Sequence, residues 1–283
     1  MAARQGWPGM TLLSRLFGRC SSAPPKPLAM LNRGEFADHY VAMLTRDAPE
    51  LTAERVDGHV HLRWDDGGTM RQFMGNAFAQ YRAEPDALEP VLAAQLAAAR
   101  ASARPKTGLD LTLVLPLIKS TSWLATAIAQ AGEGAHLVVR PFVADLILVF
   151  AENLPDTIAY VKRQDLDGVC DEAQLVAQAM DNLTRRIPSM EVVGGDGRYR
   201  IALDGFFDAS LILVSAEWTS PLALRGDPVF AVPSRDQLMV CGSDDEKAVA
   251  ELADIAPRIA ADDAYAISDS VLMLRDGVFR MVG

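Results

Sequence analysis

An α+β fold, built from two related helix–strand–strand–helix modules with antiparallel sheets covered by helices, is the class this sequence predicts. Three observations point to it. Leu44-Thr45-Arg46-Asp47-Ala48-Pro49 is echoed 139 positions later by Leu183-Thr184-Arg185-Arg186-Ile187-Pro188. The echo runs on without a gap, so that His61-Leu62 lies against Arg200-Ile201 and Asp65 against Asp204, while upstream Phe36 meets Leu175 and Val41 meets Met180. Short apolar runs are joined by turn residues such as Asp276-Gly277, the signature of antiparallel hairpins. Finally, strand-like and helix-like segments mix without the strict alternation that a parallel sheet demands.

In the first module, Phe36, Tyr40, Val41 and Leu44 recur at helical spacing after Asn32, and Pro49 lies beyond the helix end. Asp57-Gly58 turns one strand into a second that runs through Trp64. Thr69 is the expected N-cap of a helix carrying Met70, Phe73, Met74, Ala77, Phe78 and Tyr81, and an Ala/Leu-rich helix follows over 86–101. In the second module Asp171 caps a helix with Leu175, Ala179 and Leu183. Strands over 190–193 and 198–203 flank Gly194-Gly195-Asp196-Gly197, and Asp208, opposite Thr69, opens a helix over 208–218.

A second echo sets Asp145-Leu146-Ile147-Leu148-Val149 against Asp236-Gln237-Leu238-Met239-Val240, each after another apolar strand. Helices are expected to follow over 156–162 and 245–259, and a hairpin over 271–274 and 278–282 closes the chain. The domain division expected from the repeat is a basic leader and linker over 1–31, a first module over 32–168 and a second over 169–283.

Charge and cysteine usage narrow the function classes. Residues 1–27 hold Arg4, Arg15, Arg19 and Lys26 and no acid, which leaves the remainder at a net charge of −14. A body that acidic repels phosphate backbones, so sequence-independent nucleic-acid binding is excluded as an expectation. The apolar runs at 111–118 and 146–151 are too short to span a bilayer, and no integral membrane segment is expected. Residues 10–19 form a short basic-amphipathic stretch suited to weak membrane-surface association, and Met1 and Met10 both stand as starts. Cys20, Cys170 and Cys241 are odd in number and widely spaced, which fits reduced thiols in the cytoplasm.

Several segments, taken together, resemble the YtpQ-like family of soluble bacterial proteins. They are Leu115-Pro116-Leu117-Ile118-Lys119-Ser120-Thr121-Ser122-Trp123, Leu137-Val138-Val139-Arg140-Pro141-Phe142, Gly226-Asp227-Pro228-Val229-Phe230 and Tyr265-Ala266-Ile267-Ser268-Asp269. That resemblance implies a cytoplasmic bacterial protein with a domain of unknown function. It brings no activity, cofactor or site residue with it.

The candidate chemistry comes from the residues themselves. Lys119, Ser120 and Ser122, at the end of a strand, form the candidate catalytic group, with Lys119 as anion contact or as base for a serine. The competing role for the serines is to cap the helix that follows. Arg140, Asp145, Arg235 and Asp236 fall at matched places in the two later hairpins and form the candidate binding group. His59 and His61 share one strand face, where Asp65 or Asp66 would supply a third metal ligand; solvated side chains are the expectation instead, since the counterparts Arg198 and Arg200 bind no metal, and no cofactor motif is present. Two functions follow as expectations. The first is a non-catalytic module binding a protein or peptide partner in a groove between the modules. The second is a small-molecule enzyme or ligand binder, hydrolytic or phosphate-related, using residues 119–122 with Arg140 or Arg235.

Overall fold

The computed structural model describes residues 30–56, 59–103, 108–131, 136–154 and 157–282, and it is an α+β structure of helices and antiparallel sheets. Residues 10–19, named above for surface association, lie outside the described residues. The chain divides into two compact units, one formed mainly by residues 30–103 and the other by 108–154 and 158–282. The division therefore falls near residue 107, where the repeat had placed it at 168. The reason is burial: the strands over 114–120 and 146–154 are buried along nearly their whole length, and their apolar side chains complete the core of the later unit.

In the first unit, α1 (Arg33–Asp47) begins at a capping box in which Asn32 and Glu35 satisfy each other's backbone N–H. Strands β1 (Leu51–Val56), β2 (His59–Trp64) and β3 (Thr69–Gln72) form an antiparallel sheet in the order β1-β2-β3. Thr69 thus opens a strand, correcting the N-cap expected there. Two further residue pairs on β2, Leu62 with Met70 and Val60 with Gln72, recruit the segment into the sheet before any helix begins. The helix α2 (Gly75–Ala83) starts later, and α3 (Leu88–Ala103) follows a 3-10 turn. Phe36, Tyr40, Leu44, Val60, Leu62 and Leu92 lie at the centre of this unit's core.

The second unit holds two antiparallel sheets. Strands β4 (Val114–Ser120), β5 (Val139–Pro141), β6 (Leu146–Leu154) and β7 (Thr157–Tyr160) form one, in the order β4-β6-β5 with β7 also on β6. The β7 segment corrects the helix expected over 156–162: Thr157-Ile158-Ala159-Tyr160 is β-branched and aromatic, and it finds a partner strand beside it. Helix α4 (Thr121–Ala131) follows β4 directly, and α5 (Glu172–Thr184) starts at a second capping box, Asp171 with Gln174. The six-stranded sheet runs β13-β12-β10-β11-β9-β8, from β8 (Glu191–Gly195), β9 (Arg198–Ala202), β10 (Pro228–Ser234), β11 (Gln237–Gly242), β12 (Val271–Arg275) and β13 (Val278–Met281). A 3-10 helix over Ala209–Val214 and the short α6 (Ser215–Trp218) occupy the segment expected as one helix.

Strand alternation explains how the six-stranded sheet is buried on both faces. Val229, Ala231, Met239, Cys241 and Val271 face α7 (Glu246–Asp262), while Phe230, Val232, Leu238, Val240 and Leu272 face the core shared with β4 and β6. The β4 edge is closed by side chains. Ser210 Oγ accepts from Ile118 N–H at 3.3 Å, Asn182 donates to Val114 O at 2.8 Å, and Pro116 has no N–H to satisfy.

The 139-residue echo has a local counterpart. Both helices begin at a capping box, and both hairpins leave two residues between their last paired positions, Val56–His59 and Gly195–Arg198. Phe36, Leu175, Leu62 and Ile201 are all fully buried. The packing differs, however. Helix α1 lies on its own hairpin, whereas α5 lies on β4 and the 3-10 helix. The neighbour of β2 is β3, next in sequence, while β9 pairs with the distant β11.

Candidate functional site

Lys119 is the next-to-last residue of β4, paired across from Ile147 of β6 in a strand with no exposed position. Its side chain therefore leaves a dry sheet, and only 8% of the residue is exposed. The ammonium lies 5.2 Å from the centroid of the Trp123 ring, which the first turn of α4 places over it. Trp123 in turn meets the ring of Tyr160, on β7, with centroids 5.2 Å apart.

Arg235 enters the same electrostatic neighbourhood from the β10–β11 turn. Its backbone is held on both sides, with Arg235 N–H donating to Tyr265 O and Ala209 N–H donating to Arg235 O. The guanidinium is sandwiched between the rings of Phe206 and Tyr265, at 4.2 and 3.8 Å from their centroids. Its Nε donates to Gly205 O at 3.0 Å. The two ring contacts and the Nε bond together hold the group in one orientation. Asp208 builds the loop that presents Gly205 and Phe206: its carboxylate accepts from the N–H groups of Leu203, Asp204 and Gly205, and Gly205 takes φ +77°, which a glycine adopts freely. Phe206 is half exposed.

Burial lowers the Lys119 ammonium to about 8, and the positive charge of Arg235 adds to the effect. Burial raises the Tyr160 phenol to about 12, against an opposing pull from the same arginine. The field of Arg235 thus reaches both groups. Among the described residues no carboxylate lies within ion-pair distance of Lys119 or Arg235, and no acceptor bonds the Lys119 ammonium.

The remaining candidates have other positions. Ser120 Oγ accepts from Trp123 N–H at 3.2 Å in the first turn of α4 and shares a hydrogen bond of 2.9 Å with Ser122 Oγ. Arg140 is exposed and reaches Glu172 at 3.7 Å in company with Arg163. Asp145 accepts from Ser268 Oγ at 2.8 Å, and Asp236 from Ser234 Oγ at 2.7 Å. Of the two candidate groups, Lys119 is buried beside Trp123 and Arg235 is held against Phe206 and Tyr265, and the positive charge of Arg235 acts on Lys119. Trp123, Tyr160, Phe206 and Tyr265 join them across long sequence separations. No spacing or motif marked these four, and Tyr160 was hidden inside an expected helix.

A second charged cluster serves the frame. Asp245 caps α7 through Ala248 N–H and also meets Arg198 and Arg225, while burial pushes the neighbouring Cys241 thiol up to about 12 and makes it inert at neutral pH. The His59 and Phe73 rings lie tilted with centroids 5.4 Å apart, and among the described residues no three His, Cys, Asp or Glu side chains gather as a metal site. No helix among those residues is long and apolar enough to cross a membrane.

Compared with known proteins, the chain matches no family model, no curated protein sequence and no solved structure.

Proposed function

We propose that the unit over residues 108–282 binds a small anionic molecule, a carboxylate or a phosphate, between Lys119 and Arg235. The observation that carries this is a buried ammonium within the field of a stacked guanidinium, with no carboxylate partner among the described residues. Burying such a charge without a counter-ion costs several kcal/mol, and the Trp123 ring beneath it offsets only part of that. An anion would offset the rest. The aromatic walls exclude water and strengthen each charge-assisted hydrogen bond. Ser120 is occupied by the Trp123 N–H and Ser122 by Ser120, so binding is favoured over serine chemistry. Free Cys170 and Cys241 suit a cytoplasmic setting, the one that the likeness to YtpQ-like proteins also implies.

Calorimetric titration with inorganic phosphate and with lactate tests the proposal. At least one is expected to bind the wild type, with Lys119→Met and Arg235→Met each weakening it about thirtyfold, the equivalent of one charge-assisted hydrogen bond of about 2 kcal/mol. Heat identical in all three proteins removes the site from consideration.

A peptide-binding reading is favoured by a different feature. An open groove of about 550 Å³ lies between α7 and the β12–β13 edge, lined by Val249, Ala253, Val271 and Met281 with Glu246 and Asp269 at its rim. A basic-apolar peptide suits that lining. Ala253→Asp is expected to abolish capture of such a peptide while leaving anion binding intact.

A further inference from the structure

The groove between α7 and the β12–β13 edge leaves unpaired the kind of charge that its surroundings pair. Asp245 meets Arg198 and Arg225, Glu251 meets Arg198, and Asp254 meets Arg258. Glu246 and Asp269, at the groove rim, meet no cation among the described residues. On the α7 side the lining includes Ala250 and Ala253, exposed and small, so another helix can approach closely there. On the strand side Met281 is 57% exposed. An apolar lining with unpaired carboxylates at its rim suits an amphipathic helix that carries cations beside its apolar face.

The chain holds a segment of that form at residues 10–19, outside the described residues. At helical spacing Leu12, Leu13, Leu16 and Phe17 fall on one stripe, and Arg15 and Arg19, four apart, flank it. No acid is present anywhere in residues 1–27, so the charge of this part is opposite to that of the rim. We propose that residues 10–19 dock as a helix in the α7–β12–β13 groove of their own chain, with the apolar stripe on Ala250, Ala253 and Met281 and the two arginines toward Glu246 and Asp269. This rests on the peptide-binding reading of the groove and names the peptide. An outside peptide then binds only by displacing the chain's own segment. The segment is shorter than the roughly 12 residues that an isolated helix needs, so it becomes helical when held. Attachment through residues 20–29 makes a weak contact sufficient. At an effective concentration of about 1 mM, a Kd of about 0.1 mM fills the groove about nine times in ten.

The test uses the full chain with p-benzoylphenylalanine in place of Phe17, ultraviolet irradiation, and mapping of tryptic peptides by mass spectrometry. The expected result is a cross-link within one chain to the peptide 248–258, which carries Ala250 and Ala253. Ala253→Asp presses a carboxylate against the apolar stripe; a docking equilibrium about a hundredfold weaker lowers the yield about tenfold. Glu246→Gln with Asp269→Asn removes two exposed ion pairs, about threefold each, and should roughly halve it. All three positions are exposed, so these variants keep the core intact. In a second arm, a fluorescein-labelled peptide of residues 10–19 is titrated with full chains and followed by anisotropy. Leu16→Asp with Phe17→Asp in the chain should tighten its binding about tenfold, because the attached competitor is gone.

A cross-link that is absent, spread evenly over the surface, or formed between two copies overturns the proposal. Peptide that binds wild type and double variant equally, and is lost with Ala253→Asp, overturns the chain's own segment as occupant and leaves the peptide groove standing. Peptide that binds neither protein overturns both readings.

Discussion

Replacing Lys119 by methionine should stabilise the protein at neutral pH, and the gain should vanish as the pH rises. The lysine's ordinary value is 10.5, and the folded state holds it at about 8, first through burial and then through Arg235. Below pH 8 both folded and unfolded chains carry the charge, so the folded state bears the whole desolvation cost. Between 8 and 10.5 the unfolded chain still binds a proton that the folded one has released, so stability rises with pH. Above 10.5 neither form is charged and the cost is gone. A difference of this size corresponds to about 3 kcal/mol. Cys241 and Tyr160, both pushed up to about 12, work in the opposite sense above pH 9 and 10. In the wild type alone the rise is therefore visible mainly between pH 8 and 9. Subtracting Lys119→Met, which retains both groups, isolates the lysine. Methionine suits the site because it is long, apolar and adaptable. Urea unfolding followed by circular dichroism at pH 7, 8, 9 and 10 measures the difference. The variant should lead by about 3 kcal/mol at pH 7 and by little at pH 10. A difference that does not change with pH would refute the claim that Lys119 is an unpaired buried charge.

Two further predictions concern the frame around the site. Asn182 donates to Leu111 O and Val114 O, both at 2.8 Å, and ties α5 to β4; Asn182→Leu should cost about 2–3 kcal/mol of stability by leaving buried carbonyls unpaired, read as a lowered urea midpoint with unchanged slope. Asp208→Ala frees three backbone N–H groups and loosens the loop that supplies Gly205 O and Phe206, so it should weaken anion binding at Lys119 and Arg235 although Asp208 touches no ligand; an unchanged dissociation constant would show that the loop does not position Arg235.

Legibility in the sequence followed the range of the interaction concerned. Asp171 was readable as a cap because a capping box closes within four residues, and the box at Asn32 has the same form. Asp196-Gly197 and Asp276-Gly277 were readable as turns because both residues take positive φ in tight hairpins. Thr69 misled: a hydroxyl before an apolar run looks like an N-cap, yet here β2 offered an open edge and captured the segment. Over 156–162 the helical expectation failed for the same reason, with β6 as the captor. The serines near Lys119 were legible in their capping role, and Lys119 itself was noted for its strand end. Its burial and its arginine neighbour were not legible, since a lysine closing an apolar strand is ordinarily solvated.

By itself the sequence determined the α+β class, the helix starts at Asp171 and Asp245 and the hairpin turns, all of which depend on hydrogen bonds and dihedral preferences within a few residues. Tertiary structure alone decided where the chain divides, which helix covers which sheet, and that Lys119, Trp123, Tyr160, Phe206, Arg235 and Tyr265 share one neighbourhood. The physical reason is that burial and charge–charge energies depend on distances in space, which the order of residues fixes only once strands from remote segments have paired.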